Sequence, residues 1–537
     1  MPERIVIVGS GASGVHFALS LLRKNYEVVM LDVGFPKNPP LNPRDTFNGL
    51  KQNLPDPARY FLGEEYQGVL LPGNKAEYYG LRPNKDYVFE APAGFDYKSR
   101  GFSPLFSFAR GGLGEAWTGG CYPFNDAELA EFPFAYSDLA PWYGEVARRI
   151  GIVGVEDDLT RFFPLHENLL PPLRLDRNSA VLLESYQRHR HYLNHRLGCY
   201  VGRTRVAALS LDQAGRTACS YCGRCLWGCP SGSLYTPSLT LAECQQFPTF
   251  KYVPGVRVTH FNFSDGNRIT GVVAEPVNGG APIEIPTRKL VLAAGALCTS
   301  KIFLDSTLKH SGTAVQLSGL MDNRQILVPF LNLNLLGAQY SAETYQYHQV
   351  GIGICSDDPK HYIHGLVTTF KTAMLHPVMD KLPVDLNTAV YLVKNLHCGL
   401  GIVNVNLHDT RRPHSYLAVE PTGTNGHTRL VIHYRPAAAQ VAQIKKAMKL
   451  IKKVLWRLGC IVPPGMVHVR PMGASAHYSG TLPMSSEKRS CTVSEHCESH
   501  DFENLYIVDG ATFPFLPAKN LTFTLMANAV RVAETAF

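Results

Sequence analysis

A glycine-rich turn near the amino terminus constrains the fold more than any other feature of the sequence. Arg4 to Val8 is a β-branched run typical of a buried strand, and Val15 to Lys24 has the spacing of an amphipathic helix. Between them lie Gly9, Gly11 and Gly14. The first permits a tight turn, the second lets a pyrophosphate approach the backbone, and the third lets the helix pack on the strand. The pattern predicts dinucleotide binding at the helix amino terminus. The contacts it predicts are Gly9, Gly11, Ala12, Ser13 and Gly14.

An acidic residue follows this turn at the distance expected for a ribose contact. Glu27 to Leu31 predicts a second strand, and Asp32 at its end lies about 20 residues beyond the turn, where a carboxylate can accept hydrogen bonds from ribose hydroxyls. No basic residue follows directly to suit a 2′-phosphate. The motif by itself does not separate FAD from NAD.

The size and charge of the chain fit a large multidomain protein. At about 150 residues per domain, its 537 residues predict two or more domains. The first strand begins too close to Met1 for a signal peptide, and no apolar segment approaches the ~20 residues that span a bilayer. We therefore expect a cytoplasmic protein with no membrane span. The formal charge of +8 is dispersed and accompanied by no nucleic-acid motif, so no nucleic-acid partner is expected.

Segments further along the chain predict a return to the first sheet and a second sheet. Lys289 to Ala296 reads as a strand that rejoins the nucleotide-binding sheet. Alternating runs such as Gly399 to Leu407 and Thr428 to Tyr434 predict an antiparallel sheet, which is the candidate substrate domain.

Five ordered motifs, spread over nearly the whole chain, resemble the glucose-methanol-choline (GMC) oxidoreductases, a family of FAD enzymes that oxidise alcohols and sugars. The motifs are Gly9 to Gly14, Gly111 to Gly120, Ala293 to Leu304, His477 to Thr481, and Asn504 to Pro514 followed by Asn520 to Ala527. The resemblance implies an α/β Rossmann-like FAD-binding domain with an α+β substrate domain built on an antiparallel sheet. The predicted FAD-binding segments are 1–45, 90–125, 195–324 and 459–537, and the substrate-binding and covering segments are 46–89, 126–194 and 325–458.

The resemblance also implies roles for individual residues. In this family the histidine before the Gly-Thr turn is the catalytic base, and the residue in the final motif is its partner. Those positions hold His477 and Asn520. Further cofactor contacts implied by the motifs are Gly111, Gly112, Trp117, Thr118, Val258, Ala294, Gly295, Asp509, Gly510, Asn520, Leu521 and Thr522.

The chemistry of alcohol oxidation suits these two residue types. A hydroxyl proton must leave while hydride passes from carbon to flavin N5, and a neutral imidazole at His477 can take that proton near neutral pH. The Asn520 amide can align the hydroxyl without adding a charge. The expected small-molecule partner is therefore an alcohol.

The Gly111 to Phe124 segment most resembles the pyranose oxidase branch, in which a histidine just before the Trp bonds covalently to the flavin. Here that position is Ala116, and a methyl group forms no such bond. The sequence therefore predicts non-covalent, dissociable FAD. The same branch favours a sugar-like or polyhydroxylated substrate.

Four cysteines form a compact group whose spacing is that of a ferredoxin cluster. Cys219, Cys222, Cys225 and Cys229 follow the C-x2-C-x2-C-x3-C pattern, with Pro230 after the last. The region also resembles the cysteine segment of bacterial FAD-dependent sugar dehydrogenases. Three interpretations are open: an iron-sulfur cluster (4Fe-4S or 3Fe-4S), reduced thiols that pack a loop, or tetrahedral zinc.

The electron acceptor is open at this stage. A cluster would favour a dehydrogenase that passes electrons to an acceptor protein or a quinone, whereas direct reoxidation by oxygen would yield hydrogen peroxide. The hypothesis from a different class is a non-catalytic flavin and iron-sulfur electron carrier. The presence of both His477 and Asn520 argues for the enzyme.

Overall fold

The computed structural model describes residues 4–37, 42, 44–68, 83–213, 215–370, 379, 382–422 and 427–537. Parts of the predicted segments 1–45, 46–89, 195–324 and 325–458 lie outside the described residues, and the division into segments stays a prediction. Within the described ranges, no helix is both long enough and apolar enough to cross a membrane.

The described residues form both α-helices and β-strands. The α-helices are α1 (Ala12–Arg23), α2 (Phe47–Asn53), α3 (Pro57–Leu62), α4 (Asp126–Leu129), α5 (Tyr136–Ile150), α6 (Arg177–Leu197), α7 (Pro237–Cys244), α8 (Ala296–Ser311), α9 (Leu386–Leu396), α10 (Gln440–Arg457) and α11 (Thr522–Thr535). The strands are β1 (Arg4–Val8), β2 (Glu27–Leu31), β3 (Tyr97–Arg100), β4 (Ile152–Val153), β5 (Leu169–Leu170), β6 (Cys199–Arg203), β7 (Phe250–Val253), β8 (Val256–Phe263), β9 (Ile269–Pro276), β10 (Ile283–Pro286), β11 (Lys289–Leu292), β12 (Leu317–Ser318), β13 (Arg324–Asn332), β14 (Val350–Ile354), β15 (Ile363–Thr369), β16 (Leu400–Leu407), β17 (Asp409–Thr410), β18 (Tyr416–Pro421), β19 (Thr428–His433), β20 (Cys460–Ile461), β21 (His468–Val469), β22 (Leu505–Ile507) and β23 (Phe515–Leu516).

A parallel five-stranded sheet, in the order β22-β11-β1-β2-β7, carries the glycine-rich turn. The central strand β1 pairs with β2 on one side and with β11 on the other. Gly9 leaves β1 at φ +99°, and a Cβ there would lie 2.6 Å from the Ala293 carbonyl oxygen, so only glycine fits. A Cβ on Gly14 would lie 2.2 Å from the Gly9 oxygen. The turn therefore lets α1 begin directly against the strand ends.

A larger antiparallel sheet lies beside it, in the order β20-β13-β16-β15-β14-β6, with β21 also paired to β13. One of its faces packs on α6 and α10 through an apolar cluster that includes Val403, Val405 and Ile451. Because side chains alternate along a strand, Asn404 and Asn406 of β16 lie on the opposite face. Two smaller sheets have the strand orders β10-β9-β8 and β12-β18-β19-β3. The predicted fold class is confirmed.

A buried ion pair holds the backbone just before Asn520. The side chains of Lys519 and Glu128 have no exposed surface. Lys519 Nζ donates to Glu128 Oε2 and to the backbone oxygens of Pro123 and Phe162. Burial lowers the pKa of Lys519 to about 8 and raises the pKa of Glu128, while each partner's charge acts against these shifts. The pair therefore links the α4 region to the segment that leads into α11.

We expect Lys519→Met to lower the free energy of unfolding by about 3–5 kcal/mol, because it leaves the Glu128 carboxylate buried without its partner. Adding Glu128→Gln should restore more than half of the loss, since glutamine is uncharged and can keep the capping bond to Asn125 N. Chemical denaturation of both variants measures the difference. A double variant no more stable than Lys519→Met would contradict this role for the ion pair.

Candidate active site

A cavity of about 750 Å³ lies at the carboxyl ends of β1, β2 and β11. The amino termini of α1, α8 and α11 open on it through Gly11, Gly295 and Leu521, and no side chain caps any of these three helices. Uncapped helix amino termini present free backbone N–H groups and favour anions. The cavity therefore fits a dinucleotide with its pyrophosphate against α1.

Asp32 lies in the wall of this cavity, where β2 ends. Its carboxylate accepts hydrogen bonds from Ser10 Oγ and, at 3.0 Å, from Tyr252 Oη. Burial raises the pKa of Asp32 to about 6, although both donors favour the charged form. Ser10 Oγ also accepts from Gly111 N at 2.9 Å, which joins the two glycine-rich segments. Asp32 is thus in position to accept a hydrogen bond from a ribose hydroxyl.

Most of the predicted cofactor contacts line the same cavity. These are Gly9, Gly11, Ala12, Ser13, Asp32, Gly112, Val258, Ala294, Gly295, Asp509, Gly510, Leu521 and Thr522. Gly14 and Gly111 are not in the lining. Gly14 packs beneath Gly9, and Gly111 N donates to Ser10 Oγ, so both support residues that line the cavity. Trp117 and Thr118 lie outside the lining, and Trp117 Nε1 donates to the Tyr235 oxygen at 2.7 Å.

The predicted catalytic residues His477 and Asn520 lie side by side, adjacent to the cavity but outside its lining. Their chain neighbours Ala476, Tyr478 and Leu521 belong to the lining. Asn520 Nδ2 lies 3.4 Å from His477 Nε2. Asn520 Oδ1 is buried and has no hydrogen-bond partner among the described residues. The amide is therefore free to bind a further polar group beside the imidazole.

Asn323, which the sequence analysis did not identify, sets the tautomer of His477. Asn323 Nδ2 donates to the backbone oxygens of Leu407 at 3.0 Å and Pro517 at 2.8 Å. Its Oδ1 is left as an acceptor, 2.9 Å from His477 Nδ1. His477 Nδ1 must then carry the proton, so Nε2 presents a lone pair toward Asn520.

Burial also keeps His477 uncharged. It lowers the pKa of His477 to about 4, and the nearby charge of Arg470 acts in the same direction. The imidazole is therefore neutral near neutral pH, as a general base has to be. A neutral imidazole whose Nε2 lone pair lies beside the Asn520 amide can remove a proton from a hydroxyl group that binds between them.

The cysteine loop does not fit a metal centre. In the part of the chain that the structure describes, no group of three or more His, Cys, Asp or Glu could hold a metal ion. Cys225 instead packs in an apolar cluster with Leu234, and Cys229 Sγ accepts from Leu234 N at 3.4 Å. Burial raises the pKa of Cys219 to about 11, so this thiol is protonated near neutral pH. The iron-sulfur and zinc interpretations of Cys219, Cys222, Cys225 and Cys229 are thus unsupported.

Two sequence profiles of GMC oxidoreductase match the chain, at residues 201–336 and at residues 412–529. The chain belongs to the GMC oxidoreductase family. It is therefore an oxidoreductase that acts on CH–OH groups, in a family that binds FAD. The predicted resemblance is confirmed.

Similar proteins cover almost the whole chain. Paromamine 6′-oxidase of Streptomyces fradiae is 23% identical over 99% of the chain and 90% of its own length. Fructose dehydrogenase large subunit of Gluconobacter japonicus is 20% identical over 99% of the chain and 97% of its own length. The crystal structure of pyridoxine 4-oxidase from Mesorbium loti matches with a TM-score of 0.60 at 14% identity, covering 99% of this chain and 98% of that one. This last likeness shows a shared fold.

The low pKa of His477 predicts the acid limb of the pH profile. A general base works in its deprotonated form, so catalysis is present above the pKa of His477 and is lost as the pH falls through that pKa. The rate of flavin reduction should therefore stay constant near neutrality and decline near pH 4. Asn323→Asp places a carboxylate against the imidazole, which favours the imidazolium and should move the limb up by about 1–3 pH units. Stopped-flow flavin reduction across pH measures both. An unmoved limb in Asn323→Asp would contradict the assigned contact.

Proposed function

We propose that the protein oxidises an alcohol on a sugar, polyol or glycosylated natural product to the carbonyl, with FAD as hydride acceptor and His477 as base. The observation that carries this proposal is the neutral, buried His477, whose Nε2 lone pair faces Asn520 Nδ2 next to a cavity that fits a dinucleotide. Two relatives whose names specify paromamine and fructose support a carbohydrate-like substrate.

FAD, when bound along the α1 amino terminus and Asp32, supplies the flavin N5 that accepts the hydride. His477 Nε2 removes the hydroxyl proton. The imidazolium that results keeps its Nδ1 hydrogen bond to Asn323 Oδ1, which stabilises the new charge. Asn520 Nδ2 donates to the developing alkoxide, and this bond fixes the direction of the C–H bond. In this mechanism His477 takes the proton and Asn520 aligns the substrate.

We further propose that the cofactor is held without a covalent bond. Ala116 stands at the position where the pyranose oxidase branch has its flavin-linked histidine, and it follows the short helix Gly112–Glu115 at the cavity wall. Heat or acid should therefore release intact FAD. Flavin that stays with the precipitated protein would contradict this proposal.

An assay for hydrogen peroxide on the purified protein identifies the electron acceptor. Hydrogen peroxide formed in step with the carbonyl identifies oxygen as the acceptor, as the name of paromamine 6′-oxidase suggests for that relative. Turnover that needs a quinone or an acceptor protein, without peroxide, identifies a dehydrogenase.

We expect His477→Ala to slow flavin reduction by an alcohol substrate at least 10²-fold, the typical loss when acid–base catalysis is removed, while the FAD content stays unchanged. Asn520→Ala should have a smaller effect, because it removes alignment and leaves the base. His397→Ala is the matched control, since that imidazole stacks on Tyr340 outside the site.

Anaerobic stopped-flow spectra, with flavin content measured on the same preparations, give the three rates. Near wild-type reduction in His477→Ala would overturn the base assignment. Failure of every alcohol to reduce the bound flavin of the wild-type protein would favour an electron carrier instead.

A further inference from the structure

Several buried polar atoms near the catalytic pair have no hydrogen-bond partner among the described residues. They are Nε2 of His348, Nε2 of His364, Oδ1 of Asn404, Oδ1 of Asn406 and Oδ1 of Asn520. A buried polar atom left unpaired destabilises a fold by roughly 1–3 kcal/mol, and native proteins keep few of them. A polar ligand that reaches this region can supply the partners that these atoms lack.

The sheet register places three of these side chains on one face. His364 of β15 lies directly opposite Asn406 of β16, which in turn lies opposite Gln325 of β13. Asn404 is two residues before Asn406 and shares its face. The other face of the same strands packs on α6 and α10. This polar face, formed by His364, Asn404 and Asn406, therefore points away from the helices.

The polar face points toward the catalytic base. Asn323, which binds His477 Nδ1, precedes Gln325 by two residues, so the two side chains leave the chain in the same direction. Gln325 Oε1 accepts from Arg470 Nη1 at 2.7 Å, and the charge of Arg470 reaches His477. The cross-strand row from Gln325 through Asn406 to His364 thus begins beside the imidazole.

His348 completes the polar region on the side of Asn520. A Cβ on Gly120 would lie 3.2 Å from His348 Nε2 and 3.4 Å from Asn520 Cγ. Both side chains therefore flank this glycine, and an added methyl group would press on each of them. Burial lowers the pKa of His348 to about 4, so its imidazole is neutral and can donate or accept according to its tautomer.

We propose that the polar face, together with His348, binds the non-reacting hydroxyl groups of the substrate and so selects polyhydroxylated alcohols. This inference rests on the proposed function and names the residues that give it specificity. The charged groups that act on His364 and His477 are the cations Lys519 and Arg470, and the carboxylate of Glu128 is already paired with Lys519. Because the nearby charges are positive, uncharged hydroxyl groups bind here more favourably than an ammonium group.

Asn406→Leu tests the proposal because stability and binding should respond differently. Leucine is close in shape to asparagine and removes a buried unpaired atom, so the melting temperature should stay level or rise. The dissociation constant of methyl α-D-glucopyranoside should rise about tenfold, which corresponds to ~1.4 kcal/mol of lost binding. Asn404→Leu should behave in the same way and serves as the second variant.

Asn332→Leu is the matched control on the same sheet. Asn332 is fully buried, but its Nδ2 donates to Asn178 Oδ1 at 3.0 Å and its Oδ1 accepts from Asn334 N at 3.1 Å. This variant should melt at a lower temperature and, where folded, bind the glucoside as the wild type does. Ligand-induced melting shifts and flavin-fluorescence titration measure binding without turnover.

The outcomes separate this inference from the function on which it rests. Unchanged glucoside binding in both Asn406→Leu and Asn404→Leu would overturn it, as would a loss of stability equal to that of Asn332→Leu. Tighter binding of the charged 2-amino-2-deoxy analogue than of the neutral glucoside would overturn the choice of uncharged hydroxyls. Weakened glucoside binding in a protein whose flavin no alcohol reduces would support the polar face and refute only the proposed oxidation.

Discussion

The hydrogen bond between Asn323 and His477 is the interaction on which the site most depends. Asn323 immediately precedes β13, and its amide is fixed by backbone oxygens of Leu407 and Pro517, which come from distant parts of the chain. A shift of the antiparallel sheet relative to the carboxyl-terminal segment would break one of these bonds and release the imidazole. The antiparallel sheet thus orients His477, and the tautomer of this histidine depends on how the sheet packs against the carboxyl-terminal segment.

The part of the fold that sequence patterns predict best is the part with local signals. The predicted strands Arg4 to Val8 and Glu27 to Leu31 have the same bounds in the structure, because buried parallel strands are short apolar runs bounded by turns. The edge strand Leu505–Ile507 carries no such signal, since a run of three residues has no measurable period. Its pairing with β11 depends on contacts that only the folded chain provides.

The site was predictable only where a motif surrounds the residue. His477 and Asn520 stand in ordered motifs, whereas Asn323 does not. Asn404 and Asn406 alternate with valines, which predicts a polar face but leaves its environment open, because a solvent-facing strand has the same pattern. The cysteine loop shows the converse limit. Its spacing matches a cluster motif, yet metal binding requires that the sulfur atoms converge, and spacing alone does not determine this.

The parallel sheet joins the first and last parts of the chain, and this has a consequence for biosynthesis. Because translation runs from the amino to the carboxyl terminus, β1 is made long before β22 and the cavity residues Asp509 to Thr522. The parallel sheet and the nucleotide cavity are therefore complete only after β22 and these cavity residues have been made. A chain shortened before Asp509 would therefore lack part of the cavity wall, even though the glycine-rich turn and Asp32 were present.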